Sequence, residues 1–205
     1  MTGLLVVLLS GCTAGSTAAG RASTTARSTS AVASSSPAPT STPVAPPLAP
    51  PADCGGLLSV TEVPAALGVG LPGSVSYVRG QPLPGIGRTD RITCGYGVVV
   101  GPDGKKQPPQ LEISVSSYTD DTAATDRIEI TTNDRQAAGD RISTTTVGDI
   151  PAMLLAGVLG TTLVFADGTL TYSLSLVPGV LPADRMAAGL TGVATAVRAN
   201  VTAPG

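Results

Sequence analysis

The apolar positions divide this chain into three stretches. Residues 4–9 are an unbroken run, Leu4-Leu5-Val6-Val7-Leu8-Leu9. Residues 13–52 show no hydrophobic period. Beyond residue 53 the two periods of regular structure return, about 2 for strands and about 3.6 for helices.

In that last stretch, Val63, Ala66 and Leu67 follow Ser59-Val60-Thr61-Glu62 and precede Gly68. This predicts a short helix capped by Ser59 or Thr61 and stopped by the glycine. Ile92, Cys94, Tyr96, Val98 and Val100 then alternate up to the turn Gly101-Pro102-Asp103-Gly104. Leu111, Ile113 and Val115 alternate with Glu112, Ser114 and Ser116 after it, which predicts a hairpin with one buried face. Residues 121–138 carry a weaker helical face, Ala123, Ala124, Arg127, Ile128 and Thr131, with Thr122 as N-cap. The β-branched Ile128, Ile130, Thr131 and Thr132 lower its propensity. A short strand over 143–147 runs into Gly148-Asp149-Ile150-Pro151, read as a breaker.

Runs at 160–166 and 169–177 flank Asp167-Gly168, a strong hairpin signal, with Leu170, Tyr172, Leu174 and Leu176 facing inward. Last, Pro182 opens a helix in which Met186, Leu190, Val193, Ala194 and Val197 recur at helical spacing, opposite Arg185, Thr191, Thr195 and Arg198. This order predicts one α+β domain over residues 53–203, an antiparallel sheet of about five to six strands with two to three helices packed on one face.

The N-terminal run ends in Leu9-Ser10-Gly11-Cys12, the order branched apolar, small, small, Cys that lipoprotein-processing enzymes recognise. Residues 1–11 are therefore expected to be a signal peptide and Cys12 the lipidated first residue of the mature chain. Two acyl chains suffice for stable anchoring, at roughly 0.8 kcal/mol per buried methylene. The apolar run is too short to span a bilayer, which needs about 20 residues. The expected location is the extracytoplasmic face of the cell membrane, with the membrane as a partner through the anchor. Met1-Thr2-Gly3 lacks the Lys or Arg that opens an export signal, so the start is read as late. Residues 12–52, nearly all Ala, Ser, Thr, Pro and Gly, cannot bury enough apolar surface to offset the entropy of ordering. They are expected to be a disordered tether, and their composition is also that of O-glycosylated stalks.

Two cysteines remain, Cys54 and Cys94, and an even pair in an exported domain reads as a disulfide. They stand about 40 positions apart, and on the chain-entropy model such a crosslink destabilises the unfolded chain by about 4 kcal/mol.

Twelve basic and 14 acidic residues, a net charge of −2, are dispersed along the chain and offer no basic stripe, so nucleic acid is not an expected partner. With no histidine, Ser-His and Cys-His nucleophile pairs and histidine metal sites are unavailable. Lys105 and Lys106 adjoin a turn and read as a solvated hairpin tip, not as bases. Asp120-Asp121, Asp149 and Asp167 sit at element ends, where Asp ordinarily caps helices and turns. Gly85-Ile86-Gly87 lies between prolines, with no helix after it to make a phosphate loop. No cofactor and no metal is expected. Residues 70–91, rich in Gly and Pro, read as a long loop carrying Tyr77, Arg79, Gln81, Arg88 and Arg91. Long loops in compact domains often carry function.

Cys54, Leu57-Leu58, Glu62-Val63, Ala66-Leu67-Gly68, Cys94-Gly95-Tyr96 and Val147-Gly148-Asp149-Ile150-Pro151-Ala152, behind a lipobox and a Ser/Thr/Pro tether, resemble the small actinobacterial cell-envelope lipoproteins of unknown function. One departure is Gly95-Tyr96, where that family carries a larger polar residue and often Trp. The resemblance implies an exported α+β domain and transfers no activity. A looser likeness is to envelope sensor domains of actinobacterial kinases and to PsbP-like lipoproteins, which are binding modules.

The expected function is a non-enzymatic envelope binding module whose contact surface is Tyr77, Arg79, Arg88 and Arg91 or one sheet face, with the arginines pairing with carboxylates or phosphates of an envelope protein, glycan or lipid. The alternative is a carrier of an apolar molecule in a sheet-helix cavity, and a third reading is a carboxylate enzyme acting on envelope polymers.

Overall fold

The structure, a computed structural model, describes residues 48–203. Cys12 and residues 1–47 lie outside the described residues, so the signal peptide, the lipidation site and most of the tether are expectations from sequence. Before residue 53, Pro50 is buried and the Pro51 carbonyl accepts a hydrogen bond from Arg79 at 2.6 Å, so the chain joins the domain ahead of Asp53.

Seven antiparallel strands form one sheet: β1 (Ser74–Gly80), β2 (Arg88–Val98), β3 (Leu111–Tyr118), β4 (Arg141–Val147), β5 (Ile150–Gly157), β6 (Gly160–Asp167) and β7 (Leu170–Leu176). Their order across the sheet is β1-β2-β3-β7-β6-β5-β4. Three helices accompany them: α1 (Val63–Leu67), α2 (Asp121–Ala137) and α3 (Met186–Thr202). The fold is α+β, as the periodicities predict, with more strands than the expected five to six.

The two additional strands were hidden for separate reasons. β1 occupies part of the stretch read as a long loop. It is an edge strand with Tyr77 and Val78 largely exposed, so no buried alternation marks it. β5 begins inside the stretch read as a breaker: Gly148 and Asp149 form a tight turn, Val147 pairs with Ile150, and Pro151 lies within the strand. Pro151 pairs with Thr146 on one side, and the ladder to β6 begins only at Met153, so its missing N–H interrupts nothing.

A second correction concerns the layers, because the helices cover both faces of the sheet. On one face Ile92, Cys94, Tyr96, Leu111, Ile113, Leu163, Phe165, Tyr172, Leu174 and Leu176 pack with Leu190, Val193, Ala194 and Val197 of α3 and with Val63 and Leu67 of α1. Phe165 and Tyr172 stack there at 4.5 Å. α2 lies over the other face, across Val164, Thr171 and Ser173.

The Cys54–Cys94 disulfide, with Cα atoms 5.7 Å apart, joins the turn before α1 to β2. Tyr96 follows two residues later and donates its hydroxyl proton to the carbonyls of Leu58, at 2.7 Å, and Cys54, at 3.2 Å. Burial raises its phenol pKa and keeps it a donor. Gly68 ends α1 in the left-handed region at φ 84°, as expected. The α1 start differs from expectation: the Ser59 N–H donates back to the Glu62 carboxylate at 2.7 Å, and the Ser59 hydroxyl and N–H together hold that carboxylate below its ordinary pKa. α2 is capped by Asp120, not Thr122, its carboxylate accepting from the Ala123 N–H at 2.9 Å.

Candidate functional site

A β-bulge builds the site. β2 pairs Arg88 with Tyr118 and then Asp90 with Ser117, so Thr89 is an extra residue in the strand. Strict alternation would place Arg88 and Arg91 on opposite faces; the bulge puts both on the face beneath α2. Gly80 stands opposite Arg91 and leaves room for its stem, since a Cβ at Gly80 would lie 3.0 Å from that of Arg91.

From β2 the face runs as a row of hydroxyls. Thr93 stands opposite Ser114, Ser114 opposite Ser173, Arg91 opposite Ser116, and Ser116 opposite Thr171. Ser114, Ser116 and Thr171 are only 6–7% exposed, an unusual position for sheet hydroxyls. α2 closes the cleft from above with Arg127, Ile128 and Thr131. The space enclosed is about 150 Å³.

Arg91 Nε donates to Ser114 Oγ at 2.8 Å and to Thr93 Oγ1 at 3.1 Å, which fixes the guanidinium on the floor with its terminal nitrogens uncommitted to these hydroxyls. Arg88 donates to the Gln81 carbonyl at 3.0 Å, while its buried Nε has no acceptor among the described residues. Among the described residues no carboxylate lies within ion-pair distance of Arg88, Arg91 or Arg127. Asp90, the nearest acid in sequence, is turned away: it pairs with Arg79 and accepts from the Arg91 backbone N–H at 2.7 Å.

The structure thus divides the four residues expected to form one loop surface. Arg88 and Arg91 converge in the cleft. Tyr77 and Arg79 stand opposite Cys94 and Ile92, so they belong to the other face, and Arg79 is spent on Asp90 and Pro51. Arg127, marked in the sequence only as part of a helical face, completes the set.

Of the carboxylates weighed for catalysis, Asp120, Asp149 and Asp167 have structural partners. Asp120 caps α2, and hydrogen bonds from the Ala123 N–H and the Thr119 hydroxyl hold it below its ordinary pKa. Asp149 and Asp167 both pair with Arg198, at 3.3 and 2.7 Å, and the Asp167 carboxylate raises the guanidinium's pKa. Lys105 stands at an exposed hairpin tip beside Asp103. Among the described residues no group of three acidic, cysteine or histidine side chains is placed to hold a metal ion, and no helix is long and apolar enough to cross a membrane.

On the other flank of α2 lies an open groove of about 430 Å³, lined by Thr125, Ile128 and Thr132 from the helix and Pro151, Met153 and Ala166 from the sheet.

No family model and no curated protein matches this chain. Among solved structures, the crystal structure of the extracellular domain of PknH from Mycobacterium tuberculosis is similar, with a TM-score of 0.42 at 12% identity over 70% of this chain and 93% of that one. The cleft is therefore read from its own residues.

Proposed function

We propose that this protein is an exported, membrane-anchored lipoprotein of the cell envelope whose domain is a non-enzymatic binding module, and that it takes an anionic group of an envelope component into the cleft beneath α2. The observation that carries this reading is the convergence of Arg88, Arg91 and Arg127 on a floor of hydroxyls with no carboxylate to neutralise them. Three unpaired guanidiniums around one concavity repel each other, and an oxyanion relieves that repulsion while accepting several charge-assisted hydrogen bonds. The location rests on the Leu9-Ser10-Gly11-Cys12 signal and the tether composition.

The carrier reading is favoured by one separate observation, the apolar groove on the far flank of α2, whose volume lies within the roughly 300–1,000 Å³ typical of small-molecule sites.

Native and denaturing mass spectra of the lipoprotein purified from its own membrane test both location and binding. The expected result is a Cys12-acylated chain that carries an anionic molecule under native conditions only and loses it in the Arg88→Ala, Arg91→Ala, Arg127→Ala triple variant. An acylated chain with no companion, or unchanged capture by the triple variant, contradicts the proposal.

A further inference from the structure

The polar cleft and the apolar groove lie under the same helix, on the same sheet face, and share Ile128 as a common wall. The register connects them. One row across the sheet reads Thr93, Ser114, Ser173, Val164, Met153, and the row beside it reads Arg91, Ser116, Thr171, Ala166. In both rows the chemistry changes from hydroxyl or guanidinium to apolar at the boundary between β7 and β6. Val164 lines the polar cleft and Ala166, the next residue on the same face, lines the groove. Four strand spacings separate Thr93 from Met153, on the order of 19 Å.

α2 itself makes little demand on this face. Ala124 is its one fully buried side chain, and Thr132 Oγ1 is buried without a partner. A helix packed for stability alone would seat a stripe of large apolar residues on the sheet. This one spans a surface that is cationic at one end and mostly apolar at the other, where Glu129 is the one charged lining residue.

We infer that the two spaces form one bipartite site for a phosphate-headed amphiphile, with the head among Arg88, Arg91 and Arg127 and the apolar chain running under α2 past Ile128 into the groove of Met153 and Ala166. The inference rests on the anion-binding reading of the cleft. At about 150 Å³ the polar end is smaller than a whole small-molecule site, so it receives one group of a ligand, not the entire ligand. Three guanidiniums and a hydroxyl floor match a tetrahedral, multiply charged oxyanion better than a planar carboxylate, which a single arginine already satisfies. The groove supplies apolar contact for the remainder, with free energy growing with each methylene removed from water.

The test uses the full chain carrying Cys12→Ser, which cannot be acylated and needs no detergent, titrated calorimetrically with inorganic phosphate, dodecyl phosphate, dodecanoate and dodecyl maltoside below their micelle concentrations. The expected order places dodecyl phosphate at least about tenfold tighter than inorganic phosphate and than either other chain. Asn133→Trp, at an exposed position on the groove rim, and Ala166→Phe, within it, should remove the gain from the chain while leaving inorganic phosphate binding unchanged. Equal affinity for inorganic and dodecyl phosphate overturns the amphiphile and leaves the anion reading standing. Dodecanoate or dodecyl maltoside binding as tightly overturns the phosphate head. Failure of both phosphates to bind removes the anion reading and the inference with it.

Discussion

At the scale of single residues, the polar side chains of this domain divide into those already satisfied and those that are not. Asp120, Asp149, Asp167 and Arg198 have partners within the fold, and Tyr96 ties the segment before α1 to β2. Arg88, Arg91 and Arg127 have no charge partner among the described residues, although Arg91 is held by two hydroxyls. The satisfied group makes a pH prediction. The native fold depresses the Asp120 pKa through its cap hydrogen bonds, so the carboxylate's stabilisation is complete above its unfolded value and disappears as pH falls through its folded value. Asp120→Asn keeps the cap acceptor and loses the titration. Wild type should exceed Asp120→Asn in urea midpoint at neutral pH, and the gap should close at a pH below the carboxylate range. A gap that does not change with pH contradicts this role.

At the scale of elements, close approach of α1 and α3 depends on two glycines of α3. A Cβ on Gly192 would collide with the Ala66 carbonyl oxygen, and one on Gly189 would lie 3.3 Å from the Leu67 carbonyl oxygen and collide with the Leu181 side chain outside α1. Gly192→Ala therefore sets two effects against each other, a gain in helix propensity of about 1 kcal/mol and a backbone collision that displaces α1. Overpacking of this kind costs about 1–3 kcal/mol, so the substitution is expected to be neutral to destabilising in denaturant titration, unlike an ordinary Gly→Ala change in a helix. A clear gain in stability contradicts the α1–α3 contact.

The same scale explains what the sequence disclosed and what it did not. α3 was legible because all five of its marked apolar residues, Met186 to Val197, point into one core. β7 was legible because Leu170, Tyr172, Leu174 and Leu176 alternate on one buried face. Ser114 and Ser116 alternate with the inward Leu111, Ile113 and Val115, and polar alternation does not reveal that a helix will cover their face. Val100, expected to face inward, lies past the end of β2 and is exposed. The cleft was half visible: Arg88 and Arg91 stood out as arginines in an apparent loop, and Arg127 as one position of a helical face. Their convergence depends on the Thr89 bulge and on which side of the sheet α2 crosses, and neither leaves a periodic mark.

For the whole molecule, the proposed function assigns stability and binding to opposite faces of the sheet. The α1–α3 face holds nearly all the large apolar side chains and the disulfide, so the domain's cohesion rests there. The α2 face carries the hydroxyls, the guanidiniums without charge partners among the described residues, and the groove, all apart from that core. The most direct test of that division is to follow the arginine Nε–Hε resonances of the full chain carrying Cys12→Ser while inorganic phosphate is added. Arg88, Arg91 and Arg127 are predicted to shift together along one saturable curve, while Arg79, Arg135 and Arg198, each paired with an aspartate, stay in place. No shift at the three cleft arginines, or an equal drift of all six, would contradict an anion site beneath α2.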